Sequence, residues 1–251
     1  MKSRIRILIL TILSALLLLS ACTSGADGLP LAQETVHARF YSPNDDAGEA
    51  VASLAEAFEA NYERLAGLFQ YEAKDKTIIH LYTDKDAFRQ MIGRDTEGTY
   101  DARDRIIKVY TPADLSNETT KRNFNEQIVH EFVHQIIQQI SPDVGKTKWL
   151  DEGTAYYASG QLEEEMRDKT RYYDIPTLEQ FADPEYFAKA RGAAYFYSGL
   201  MVKYITDTYG TDTLNEMIRQ PDQEHVEQIL NTPIDRFFEA WHDAMLNRSR
   251  E

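Results

Sequence analysis

Ile128-Val129-His130-Glu131-Phe132-Val133-His134-Gln135-Ile136-Ile137, followed by Trp149-Leu150-Asp151-Glu152-Gly153-Thr154-Ala155-Tyr156-Tyr157, is the part of this chain from which the rest can be read. In and around the first stretch, Phe124, Ile128, Val129, Phe132, Val133, Ile136, Ile137 and Ile140 recur at helical spacing, which predicts a buried-face helix over 118–140. Ser141-Pro142 closes it, because proline disfavours helical geometry in the residue before it. Residues four apart on a helix differ by about 40° in azimuth. The imidazoles of His130 and His134 therefore leave one face and can reach a single cation. That cation would lie at the edge of the core, where partial shielding from water strengthens its field.

Two histidines on a helix surface can also simply hydrogen-bond there, and the pentapeptide alone does not separate these cases. The second stretch adds what the first lacks. Trp149-Leu150 would pack against the first helix, and Glu152 to Tyr157 reads as the start of a new one. Glu152 lies 18 positions after His134 across a connection containing proline and glycine, so an antiparallel helix can return its carboxylate to the same cation. Two imidazoles and one carboxylate leave a fourth position open to water, as in a catalytic zinc site. Glu131 then stands beside the metal without ligating it, placed to take a proton from water there.

These two segments, HEFVH and WLDEGTAYY, resemble those of the gluzincin metallopeptidases, and among them the bacterial peptidase MA-like group, whose pattern is HExxH, a gap, and WLxEGxAxY. An early strand with a long helix, the stretch Thr77–Tyr82, and Ala194-Tyr195-Phe196-Tyr197-Ser198 with Tyr209-Gly210 extend the similarity over most of 35–220. The resemblance implies a thermolysin-like zincin core, Zn2+ on His130, His134 and Glu152, and Glu131 as general base. It also implies an oxyanion donor from a later helix, with Tyr195 the nearest by position and Tyr197 the alternate. Arg105–Tyr110 would be the edge strand on which an extended substrate pairs. Ile140 stands where three-histidine zincins carry a third histidine, and no Gly-x-Met-Glu-Asn aminopeptidase anchor occurs. An endopeptidase or narrow-specificity hydrolase therefore fits better than an aminopeptidase. The alternative is a zinc-binding lipoprotein on the same scaffold that cleaves nothing, or only one partner. The other histidines, His37, His80, His225 and His242, are expected to be surface or satisfied structural residues, and with 15 tyrosines in the chain one well-placed phenol also fits plain packing.

Lys2, Arg4 and Arg6 precede an apolar run, Ile7 to Leu19, that is short for a membrane span of about 20 residues and ends in Leu19-Ser20-Ala21-Cys22. A cysteine after small residues resembles a bacterial lipobox. Cys22 is the only cysteine, which excludes intramolecular disulfides; lipidation would account for it, the other reading being an ordinary signal peptide with a stray cysteine. The expected organisation is a signal peptide over 1–21, a flexible tether over 22–34 and a metallopeptidase-like domain over 35–251. That places the protein outside the cytoplasm, anchored to the cell membrane or outer membrane. Net charge is −14, and −17 once residues 1–21 with their three cations are removed. Such a surface repels nucleic acid, and the expected partners are a peptide or protein substrate and the membrane.

Elsewhere the pattern predicts strands over 36–41, 77–82 and 105–110, and helices over about 51–68, 84–92, 151–167, 193–208, 211–219 and 233–246. Strands early and helices late predict an α+β fold, with a small N-terminal mixed sheet and a mainly helical C-terminal part.

Overall fold

Alternating side chains build the sheet and give it a buried face. Strands β1 (Leu31–Glu34), β2 (Ala38–Tyr41), β3 (Thr77–Tyr82), β4 (Gly98–Asp101) and β5 (Ile106–Tyr110) lie in the order β1-β2-β3-β5-β4. The pairs β2–β3 and β3–β5 are parallel, and the outer pairs β1–β2 and β4–β5 are antiparallel, so the sheet is mixed. Ala38, Phe40, Ile79, Leu81, Ile107 and Val109, at every second position, are buried in the main core. The computed structural model describes residues 28–43, 48–167, 174–183, 185–190 and 192–248. The expected signal peptide and Cys22 lie outside the described residues. Leu31–Glu34, inside the stretch expected to be tether, is instead strand β1, paired with β2.

Helices α1 (Gly48–Phe69) and α3 (Glu118–Ile140) cover the apolar face of the sheet. Their apolar stripes meet in an aromatic cluster, with Phe58 and Phe132 ring centroids 4.5 Å apart and Tyr62 stacked 5.4 Å from Phe132. Helix α2 (Lys85–Ile92) connects β3 towards β4 and is started by Asp84, whose carboxylate accepts from Ala87 N–H. Asn117 caps α3 in the same way through Thr120 N–H, and the helix ends at Ser141, in extended geometry before Pro142.

The rest is helical: α4 (Lys148–Ala158), α5 (Gln161–Arg167), α6 (Leu178–Ala182), α7 (Tyr186–Ala190), α8 (Gly192–Tyr209), α9 (Thr211–Arg219), α10 (Gln223–Leu230) and α11 (Ile234–Arg248). The chain is therefore α+β, with a five-stranded mixed sheet at the N-terminal side and a mostly helical remainder. Among the described residues no helix is long and apolar enough to cross a membrane.

Two expectations need correction. The helix expected over 151–167 is two helices, because Gly160 adopts φ +94° and the chain turns at Ser159-Gly160. The strand near Arg105–Tyr110 is not the edge: β5 is hydrogen-bonded on both sides, and the short β4 takes the outer position. Arg105 itself precedes the strand in left-handed geometry, at φ +57°.

Candidate metal centre

Helix α3 carries His130, Glu131 and His134, and α4 returns beside it with Asp151 and Glu152. A 3-10 turn at Pro142–Lys146 makes the reversal. The approach of α4 to α8 is set by a glycine. A Cβ on Gly153 would stand 2.5 Å from the Ser198 carbonyl oxygen, so no larger residue fits beside Glu152 without moving a helix backbone.

The three candidate ligands converge on one point. His130 Nε2 and His134 Nε2 are 3.1 Å apart, and Glu152 Oε2 lies 3.3 Å from His134 Nε2 and 3.7 Å from His130 Nε2. A tetrahedral zinc with bonds of about 2.0–2.1 Å spaces its ligand atoms about 3.3 Å apart. The three observed edges fall within about 0.4 Å of that spacing, and all three residues are buried. This group could hold a metal ion.

Second-layer bonds fix which ring nitrogens face inward. His134 Nδ1 lies 2.8 Å from Asp151 Oδ1, and His130 Nδ1 lies 2.8 Å from Gln161 Oε1. Both partners are acceptors, so each Nδ1 donates its proton outward, and a neutral ring then turns the lone pair of Nε2 towards the other. With the Glu152 oxygen this makes three acceptors facing one another, an arrangement that calls for a cation at the centre. Protein groups alone respond by binding a proton. Burial pulls the pKa of His134 down, but the Asp151 and Glu152 carboxylates more than offset it and hold it well above the ordinary 6.5. Burial likewise pushes Glu152 up, and the two imidazoles reverse that to leave it well below 4.5.

Glu131 is outside the triangle. Gln127, one turn earlier on α3, donates from Nε2 to its Oε1 at 2.5 Å. Gly98 of the edge strand presses on both: a Cβ there would meet Gln127 at 3.0 Å and Glu131 Cγ at 3.1 Å. The edge strand thus lies directly against the acid expected to act as base.

Tyr195 of α8 lines the same pocket, of about 180 Å3, with Glu131 and the three ligands. Burial, then the negative charges of Glu152 and Glu131, push its phenol up to about 12, with Arg94 opposing them, so it stays protonated and able to donate near neutrality. Tyr197 instead packs edge-on against Trp241 in the core, 4% exposed, and does not line the pocket. A larger groove of about 830 Å3 adjoins the pocket, the two sharing Gln127, Tyr156 and Gln161.

Compared with known proteins, the chain matches no family model and no curated protein.

The expected site residues Glu131, Tyr195, His130, His134 and Glu152 are thus brought to one pocket. The remaining histidines lie elsewhere. His37 stacks on Tyr62 and pairs with Glu59, His80 is buried in the sheet, His225 bonds Asp222, and His242 packs on Phe238. Sequence reasoning missed Asp151, Gln161, Gln127 and Arg94. Asp151 and Gln127 had local signals, one adjoining Glu152 and the other one helical turn before Glu131. Gln161 could be found only by recognising Ser159-Gly160 as a break.

Proposed function

We propose that this protein is a zinc-dependent peptidase of the gluzincin type, held on the outer side of a membrane by a lipid on Cys22. The observation that carries the proposal is the triangle of inward-facing acceptors on His130, His134 and Glu152, with Glu131 beside it and outside it. Two nitrogens and one carboxylate oxygen suit zinc. The pairing of α3 with α4, next to a sheet whose antiparallel edge strand β4 adjoins the site, supports a thermolysin-like core. An open groove, and a pocket mouth with no amino-terminus anchor of the aminopeptidase kind in the sequence, favour internal cleavage.

His130, His134 and Glu152 would hold a zinc ion, which would supply Lewis acidity, lowering the pKa of water towards neutrality and polarising the scissile carbonyl. The chain does the rest. Asp151 and Gln161 hold the imidazoles in the tautomer that points Nε2 inward. Glu131 accepts the proton from the attacking water and passes it to the departing amine. Gln127 keeps that carboxylate in place. Tyr195, protonated at working pH, donates to the oxygen on which negative charge develops. Burial of the ligands limits competing water.

The decisive test is Glu131→Gln. Since Glu131 is not among the converging ligands, the variant should still bind one zinc per chain while peptide cleavage falls by about 10²–10⁴. Undiminished cleavage would sink the assignment, and a wild-type chain that retains no metal after dialysis would sink the metal site.

A further inference from the structure

One cation beyond these residues also reaches the pocket. Arg94 lies in the loop between α2 and β4, just after Gly93, which at φ +78° ends α2. It lines the same pocket as His130, His134, Glu152, Glu131 and Tyr195 and, among the described residues, is the only permanent cation that does so. The chain has 41 acidic residues against 27 lysines and arginines, so a cation on it has many chances of pairing. Yet no carboxylate lies within ion-pair distance of Arg94 among the described residues; its one bond runs from Nη2 to Thr99 Oγ1, at 3.4 Å. The acids flanking it are turned to other cations: Asp95 bonds Arg89 at 2.8 Å and Glu97 bonds Lys85 at 2.7 Å. Arg122 and Lys148 face carboxylates as well, Arg122 towards Glu164 and Lys148 towards Asp151 and Glu152.

The charge count gives this cation a purpose. Around the pocket Glu131 and Glu152 carry two negative charges, which a divalent metal would balance, and Asp151 behind the site is offset by Lys148. Arg94 then leaves the loaded pocket with one net positive charge. A guanidinium offers paired N–H donors in a plane, the geometry that matches a carboxylate.

We propose that Arg94 pairs with a carboxylate of the substrate next to the scissile bond, either a free C-terminus or an aspartate or glutamate side chain. This rests on the peptidase proposal and adds to it a substrate class. The guanidinium is also within electrostatic reach of the Tyr195 phenol, so the carboxylate would dock on the side where the oxyanion forms.

The test compares short blocked peptides in matched pairs, C-terminal acid against amide and internal Glu against Gln. Binding is measured by calorimetry to the zinc-loaded full chain in the Glu131→Gln background, which slows turnover. At least one carboxylate form should bind about tenfold more tightly than its neutral partner. The gap should close in Arg94→Gln and reverse in Arg94→Glu, where a lysine-containing peptide gains, with zinc content equal in all three. Equal affinities within both pairs, no binding by any peptide, or a gap that survives Arg94→Gln (a carboxylate binding the metal itself) would overturn the inference. A library digest with the wild-type chain separates the two levels. Cleavage without dependence on Arg94 removes the carboxylate pairing alone, whereas an Arg94-dependent binding preference without cleavage removes the peptidase proposal alone.

Discussion

Replacing Asp151 by asparagine tests whether the second layer of the site sets its affinity. Asp151 is 1% exposed, and its Oδ1 accepts from His134 Nδ1 at 2.8 Å. Gln138 Nε2 lies 3.2 Å from Oδ1 and 3.4 Å from Oδ2, and Lys148 Nζ lies 3.6 Å from Oδ2. Asparagine occupies nearly the same volume and can still accept from His134 through Oδ1. Its Nδ2 then meets Gln138 and Lys148, both donors, so the two contacts made by Oδ2 become repulsive. The negative charge that makes His134 a stronger base is also gone. Loss of such an anchor typically weakens metal binding 10–100-fold, or about 1.4–2.7 kcal/mol. Zinc affinity should be measured by competition with a chromophoric chelator at fixed pH, with melting of the metal-free chain recorded alongside. A zinc affinity within threefold of wild type would refute the argument that Asp151 tunes the ligand.

Gly153→Ala places a Cβ 2.5 Å from the Ser198 carbonyl oxygen, so α4 and α8 must separate. Overpacking costs about 1–3 kcal/mol and the helix preference of alanine returns about 1 kcal/mol; the melting temperature should fall and zinc binding, at the adjoining Glu152, should weaken with it. Tyr195→Phe should lower turnover by about 10²–10³ with zinc affinity unchanged, whereas Tyr197→Phe, in the core beside Trp241, should leave turnover alone. Zinc binding should release a proton from His134 at pH 6.5 and progressively less as pH rises through its raised pKa, which calorimetry in buffers of different ionisation enthalpy reads directly. In the metal-free chain, the raised His134 stabilises the fold below 6.5 and loses that effect as pH rises through its folded pKa, while the lowered Glu152 stabilises above 4.5 and loses it as pH falls through its own; the plateau should therefore cover pH 4.5 to 6.5.

Legibility followed the strength of local signals. Helix α3 occupies the predicted 118–140 because its apolar stripe is unbroken and Pro142 stops it. Strand β3 and helix α9 also match, each with a full apolar face between clear turns. Strand β4 was missed: Gly98-Thr99-Tyr100-Asp101 has no apolar alternation and is a strand only because β5 lends it partners. The order of strands is a tertiary property, which is why β5 was expected at an edge that β4 holds. Helix α10 buries only Val226 and Leu230, too little periodicity to stand out. The convergence of the candidate ligands was legible because two of them share one helix face and the third follows a short reversal. Arg94 was not, since nothing local distinguishes an arginine whose neighbours happen to pair elsewhere.

The dependence of the site on α4 goes further than the one ligand it carries. Glu152 is on this helix, Asp151 beside it anchors His134, and the turn that ends it at Ser159-Gly160 delivers Gln161 to His130. Both histidines of α3 are therefore oriented from α4 or its end, although neither belongs to it. A displacement of α4 would shift one ligand and release both anchors together, so the site should assemble or fail as a unit. Metal binding and the docking of α4 against α3 and α8 are then two sides of one equilibrium, each favouring the other by the same free energy. Gly153 is where this coupling is most exposed, because it sets the closeness of the docking one residue from the carboxylate that uses it.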